Sequence, residues 1–124
     1  MGLAAGLSLS GCGTIPIYKP TITNKVIYLD ELKMAANKLN IIQHSSLAFN
    51  ILLVKTDSGY TALQMQCSHQ NQPLIATKTG LFCNAHGSSF NLLGKAMREP
   101  AIKPLKTYET SILNHQILIK LTKK

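Results

Sequence analysis

Near the C-terminal end the chain alternates: Ile117, Ile119 and Leu121 fall on one side, Gln116, Lys120 and Thr122 on the other, with Leu118 the exception on the polar side. A period of two marks a strand with one buried face. Residues 106–113 pair with this strand through Asn114-His115, which supply a tight turn. Upstream, residues 47–56 are rich in Ile, Leu, Val and Phe, and Asp57-Ser58-Gly59 offer turn chemistry. Residues 60–66 then resume with Leu63 and Met65 alternating against Gln64 and Gln66. This pattern predicts a hairpin that delivers Cys67 at its end. A short strand over 80–82 leads to Cys83, and residues 89–92 lead to a turn at Gly94-Lys95. Residues 25–29 are strand-like, and residues 30–39 have helical composition with Asp30 as the N-cap. Several short strands joined by turns, with no repeat and no low-complexity tract, predict an all-β, antiparallel domain over residues 25–122.

The stretch before that domain reads differently. Residues 13–24 carry Pro16 and Pro20 among Thr, Lys and Ile with no sustained period, which predicts an extended tether. Residues 1–12 are apolar and small, too short to span a bilayer, and end in Leu9-Ser10-Gly11-Cys12. That ending is a lipobox pattern. It implies a bacterial lipoprotein signal, with Cys12 as the lipidated first residue of the mature chain, held in the cell envelope and facing the periplasm or exterior. A signal peptide normally opens on a positive segment, and none precedes Leu3, so the expected start lies upstream of Met1 or the chain is trimmed. N-myristoylation of Gly2 is excluded by Gly6, which stands where Ser or Thr is required.

Charge and cysteine count narrow the picture further. A chain of 124 residues, 45% of them hydrophobic, suits one small domain with its own core. Thirteen Lys and Arg against five Asp and Glu give a formal charge of +8, favouring an acidic protein partner or an anionic membrane surface. The basic residues are scattered singly and do not interleave with aromatics, which argues against nucleic-acid binding. An exported chain could use disulfides, yet with Cys12 assigned to lipid only Cys67 and Cys83 remain.

Those two cysteines sit in matching surroundings: Cys67-Ser68-His69, and Cys83-Asn84-Ala85-His86 followed by Gly87-Ser88. Each segment offers one thiolate and one imidazole to a metal centre. Tetrahedral zinc in a structural lipoprotein is one reading, although the single residue between Cys67 and His69 is short for two ligands of one ion. A Cys67–Cys83 disulfide is another, and it leaves the paired histidines unexplained. A third is a two-iron cluster in which one iron takes both thiolates and the other both imidazoles, so close spacing within each pair is useful.

Here the sequence resembles the Rieske family. Its two cluster loops are matched by Cys-x-His and Cys-x-x-His-Gly-Ser, with Pro73 between them. Residues 59–63, 89–95 and 100–105 are similar to Rieske segments in the same order, so the resemblance spans about 25–121. It implies a Rieske-like antiparallel sandwich with a small cluster-binding subdomain of two loops, and one [2Fe-2S] cluster. Cys67 and Cys83 would bind one iron, His69 and His86 the other. Gly87 would let its loop turn close to the cluster, and residues 100–104 would cover the far side. His44 and His115 lie outside the pattern and are read as surface residues.

The resemblance also implies a kind of Rieske protein. Ser88 matches the serine that donates a hydroxyl to a bridging sulfide in high-potential members, whereas Phe90 replaces their tyrosine donor. The expected potential is therefore below that of quinol-oxidising respiratory members, as voltammetry would test. Gln72 and Ala85 stand at the positions of the respiratory loop disulfide, so none forms. The function implied is one-electron transfer without a substrate site of its own, by a lipid-anchored carrier or a small subunit of a larger oxidoreductase. A cytochrome or a cupredoxin would be a suitable partner. The alternative is a Rieske ferredoxin feeding an oxygenase, which Cys12 lipidation would oppose. The length leaves no room for a catalytic iron domain.

Overall fold

The computed structural model describes residues 14–68, 71–84, 87–98 and 103–121. Two short strands come first, β1 (Ile17–Tyr18) and β2 (Ile22–Thr23), followed by β3 (Val26–Asp30) and a single helical turn, α1 (Glu31–Met34). Next are β4 (Leu39–Ile42), β5 (Ile51–Lys55) and β6 (Tyr60–Gln64). A run of short strands follows: β7 (Ile75–Ala76), β8 (Leu81–Phe82), β9 (Ser89–Phe90) and β10 (Ala96–Arg98). The chain closes with β11 (Thr107–Leu113) and β12 (Gln116–Lys120). These form an eight-stranded sheet in the order β1-β4-β5-β6-β11-β12-β3-β2 and a four-stranded sheet in the order β10-β9-β8-β7. All pairings are antiparallel except β1 with β4. Among the described residues no helix is long and apolar enough to cross a membrane.

The large sheet is curled, as its connectivity requires. Its two edge strands, β1 and β2, are separated by only residues 19–21. Four peptide steps reach at most roughly 14 Å. Eight strands laid flat would put those edges about 34 Å apart. The sheet therefore bends round until its edges nearly meet. Residues 13–24 were expected to be a tether; their described part instead contributes two short strands to the sheet, β1 beside β4 and β2 against β3.

The hairpin β5–β6 separates two cores. Along β5, Ile51 and Leu53 face the core that also holds Ile27, Ala62, Ile117 and Ile119. Leu52 and Val54 face the second core, with Leu63, Met65, Cys67, Leu81, Cys83 and Phe90. A strand buried on both faces shows a continuous apolar run rather than alternation, which is how residues 51–54 read in sequence. The hairpin turn lies where Asp57-Ser58-Gly59 predict it, closed by the Thr56 N–H donating to the Gly59 carbonyl at 2.8 Å. The alternation in β12 holds too: Ile117 and Ile119 are fully buried and Gln116 and Lys120 exposed.

The helix expected over 30–39 ends at Met34. Asp30 does cap it, its carboxylate accepting from the Leu32 N–H at 2.9 Å. Leu39 instead opens β4, which pairs with β5 from Leu39↔Val54 to Ile42↔Ile51. The buried Asn40 side chain donates from Nδ2 to the Met34 carbonyl at 3.2 Å, which helps stop the helix after one turn. The strand expected over 47–56 begins only at Ile51.

Candidate cluster-binding site

Both cysteines lie at the start of a short loop closed in the same way. The Cys67 N–H donates to the Gln72 carbonyl at 2.9 Å, and the Cys83 N–H to the Ser88 carbonyl at 2.9 Å. The first loop grows from the end of β6 and is clamped at its base by the Gln66↔Pro73 bridge and by Leu74 N–H donating to the Met65 carbonyl at 3.1 Å. The second joins β8 to β9, and the Gly87 N–H donates back to the Cys83 carbonyl at 2.9 Å. Gly87 has φ of +75°, a left-handed backbone that a side chain would strain, so glycine is required for this turn. Gly80, at the other end of the β7–β8 hairpin, is needed for a different reason. A Cβ there would run into the Phe90 carbonyl oxygen on the neighbouring strand.

The two loops converge on one interior. Cys67 and Cys83 are each 2% exposed and belong to the same apolar core, walled by Met65, Leu74, Leu81, Phe90 and Leu105. They are not bridged to each other, which removes the disulfide reading. Phe90 is 1% exposed in this core and has no hydroxyl to donate. His69, His86, Ala85 and residues 99–102, together with the lipidation candidate Cys12, lie outside the described residues.

A dry pair of thiols could be nothing more than core packing, since cysteine behaves there as a small hydrophobe. Ser88 argues otherwise. Its side chain is fully buried, and its Oγ has no hydrogen-bond partner among the described residues. An orphaned buried hydroxyl costs about 1–3 kcal/mol. Such a cost persists where a further group supplies the acceptor, and the Ser88 carbonyl is already bonded to the Cys83 N–H, placing that hydroxyl at the base of the second loop. Two unbridged thiols and one unsatisfied donor are the donor set that an iron-sulfide cluster fits: thiolate for iron, hydroxyl for sulfide.

Ser88→Ala follows as a two-sided test. In the cluster-free chain the substitution removes an orphan, so the midpoint of thermal unfolding should hold or rise by about 2–8 °C. In the cluster-loaded chain it removes a donor that favours the more negative, reduced state, so the reduction potential should fall. Unchanged potential by voltammetry would place the hydroxyl elsewhere.

The two other histidines are accounted for locally. His44 Nδ1 accepts from the Ser46 N–H at 3.0 Å, and His115 sits in the β11–β12 turn, 3.9 Å from Glu31. Tyr60 and Tyr108, on the large sheet, have pKa values pushed up chiefly by burial and stay neutral at physiological pH. Charge is distributed unevenly: no Asp or Glu occurs between Asp57 and Glu99, whereas Lys78, Lys95 and Arg98 do. The segment that carries both cysteine loops is thus cationic along the chain.

Comparison with known proteins bears on the cofactor. A family model, the Rieske [2Fe-2S] domain, matches residues 23–109. The methanesulfonate monooxygenase ferredoxin subunit of Methylosulfonomonas methylovora is 27% identical over 84 residues, covering 64% of this chain and 67% of that one. The cyanobacterial plasma membrane Rieske protein PetC3 from Synechocystis PCC 6803 has a similar fold, with a TM-score of 0.60 at 24% identity over 72% of this chain and 92% of its own. A chain in the complex of reduced oxygenase and oxidized ferredoxin in carbazole 1,9a-dioxygenase gives a TM-score of 0.61 at 16% identity, covering 82% and 98%. The last two are likenesses of fold.

Proposed function

Because this chain belongs to the Rieske [2Fe-2S] domain family and binds a [2Fe-2S] cluster for electron transfer, we propose that Cys67, His69, Cys83 and His86 are the ligands and that the protein is a one-electron carrier between partner redox proteins. The observation that carries the ligand assignment is the buried, unbridged pair Cys67 and Cys83 beside the unsatisfied Ser88 hydroxyl. The cluster supplies one reversibly held electron. The chain's own residues keep water from the thiolates, close each loop through a backbone hydrogen bond and offer the Ser88 donor. Outer-sphere transfer needs no substrate pocket, only a partner brought close to the loops. Between Asp57 and Glu99 every charged residue is a cation, which favours an acidic partner and makes the association rate fall with salt.

We further propose that this carrier is exported and held to a membrane by lipid on Cys12, supported by the lipobox pattern at Leu9-Ser10-Gly11-Cys12. A cytochrome, a cupredoxin or a larger oxidoreductase would then be its partner. A second reading, a ferredoxin serving an oxygenase, draws support from the monooxygenase ferredoxin subunit among its relatives. The two readings separate at one residue. Mass spectrometry of the chain from its native cell should show diacylglycerol on Cys12; an unmodified Cys12 in the cytoplasmic fraction would favour the oxygenase ferredoxin. Cofactor content is tested separately. Iron and acid-labile sulfide should be present in equal amounts, with an EPR signal on dithionite reduction, whereas bound zinc without sulfide would overturn the ligand assignment.

A further inference from the structure

We infer that Ser68 is a positioning residue that latches the first cysteine loop to the chain at Lys103 and thereby keeps the thiolate side of the site closed. The inference rests on the cluster reading above. Ser68 follows Cys67 directly, and its Oγ donates to the Lys103 carbonyl at 2.6 Å, across 35 residues of sequence. That separation is near the short end for a hydroxyl donor, so the contact is well made.

The tie matters because, among the described residues, the other hydrogen bonds of the loop stay within the loop and its clamped base. Cys67 bonds to Gln72 and Gln66 to Asn71, both within the loop and its base. Among the described residues, the Ser68 hydroxyl gives loop 67–72 its one hydrogen bond to another segment. The second loop is likewise closed on itself through Cys83, Gly87 and Ser88, and no disulfide joins the two.

The acceptor, by contrast, is anchored. Two residues past Lys103, Leu105 is 4% exposed in the cysteine core, and its N–H donates to the Gly94 carbonyl at 2.8 Å. Gly94 is itself fixed. With φ of +87° it turns the chain, and a Cβ there would come within 2.9 Å of the Leu63 side chain. Ser68 thus ties a loop whose other hydrogen bonds, among the described residues, are internal to a segment bound into the core. It does what a covalent staple does elsewhere, but it joins the first loop to the 103–105 segment rather than to the second loop.

Releasing the latch should let water approach the sulfur side of the site. Reduction adds a negative charge, so better solvation favours the reduced state and raises the potential. The same opening should speed loss of iron to a chelator.

The test uses the full, cluster-loaded chain as Ser68→Ala, Ser68→Thr and, as a control on a remote exposed turn, Ser58→Ala. Ser68→Ala should lose visible absorbance to EDTA about 2- to 10-fold faster, the loss expected for one neutral hydrogen bond. Its potential should rise and its EPR lines broaden. Ser68→Thr, which keeps the hydroxyl, should restore all three, and Ser58→Ala should match the parent chain. Wild-type values for Ser68→Ala, or no restoration by threonine, would overturn the latch. Amide hydrogen exchange in the cluster-free chain separates this from failure of the cluster reading. There Ser68→Ala should speed exchange at Cys67, while absence of iron and sulfide from the parent chain would count against the cluster alone.

Discussion

Cys67→Ala and Cys83→Ala, made singly, should each yield a folded chain with iron and acid-labile sulfide at background and no EPR signal after reduction. Each removes one of two thiolates from a core in which both are 2% exposed, and no other cysteine lies among the described residues to replace it. Alanine is the informative substitution. It leaves a small apolar group in the pocket walled by Met65, Leu74, Leu81 and Phe90. Serine would add a second unsatisfied hydroxyl beside that of Ser88, at a cost of about 1–3 kcal/mol, and would confuse loss of ligand with loss of fold. Far-UV circular dichroism should therefore remain that of a β protein while cluster content falls at least about tenfold, as expected for a cluster left with an incomplete ligand set. His69→Ala and His86→Ala should have the same outcome. Retention of full cluster by either cysteine variant would remove that residue from the ligand set.

How the fold was readable follows from element length. The hairpin β5–β6 has five residues in each strand and a turn with unmistakable chemistry, and β11–β12 has a two-residue turn at Asn114-His115 whose φ values of 52° and 65° suit asparagine. The same turn recurs at Asn24-Lys25, with φ of 52° and 64°, where it joins β2 to β3. It went unread because β2 has only two residues, too few to show a period. Strands β7 and β10, of two and three residues, show no period either, whereas the equally short β8 and β9 are marked by the cysteine motif between them. At residues 30–39 local preference pointed the wrong way. Leu32, Lys33, Met34, Ala35 and Ala36 are good helix formers, and what ends the helix is tertiary: β4 must pair along β5, and Asn40 must be buried with its amide on the Met34 carbonyl. The cysteine site was readable because its motifs are local. What sequence could not show was that both loops are built alike, that Ser88 is left without a partner, or that Ser68 reaches Lys103. Those are facts of packing between segments far apart in the chain.

Removing residues 1–25 should lower the midpoint of thermal unfolding by about 10–25 °C, whereas removing residues 1–13 should leave it unchanged. The contrast decides between a tether and a structural strap. A tether over 13–24 could be cut anywhere without effect on the domain. In the fold, however, Tyr18 and Ile22 pack against the core of Ile27, Ile42 and Ile117, and Ile15 packs against the cysteine core. Burying each such side chain is worth about 1.5–3 kcal/mol when complete, and these are half-buried, so roughly 3 kcal/mol is at stake from contacts alone. The backbone adds to it. Without β1, the Ile41 and Gln43 N–H groups lose their acceptors at Pro16 and Tyr18, each 2.9 Å away. Without β2, strand β3 becomes an open edge beside fully buried Ile27. The curled sheet would then lack both of its edge strands at once, because the three residues between β1 and β2 are what bring its two ends together. A midpoint shift under about 3 °C for the longer deletion would return residues 13–24 to the role of a tether. If the larger shift is found, residues 14–24 are part of the closed sheet, and any pull transmitted through the N-terminal segment acts directly on sheet closure.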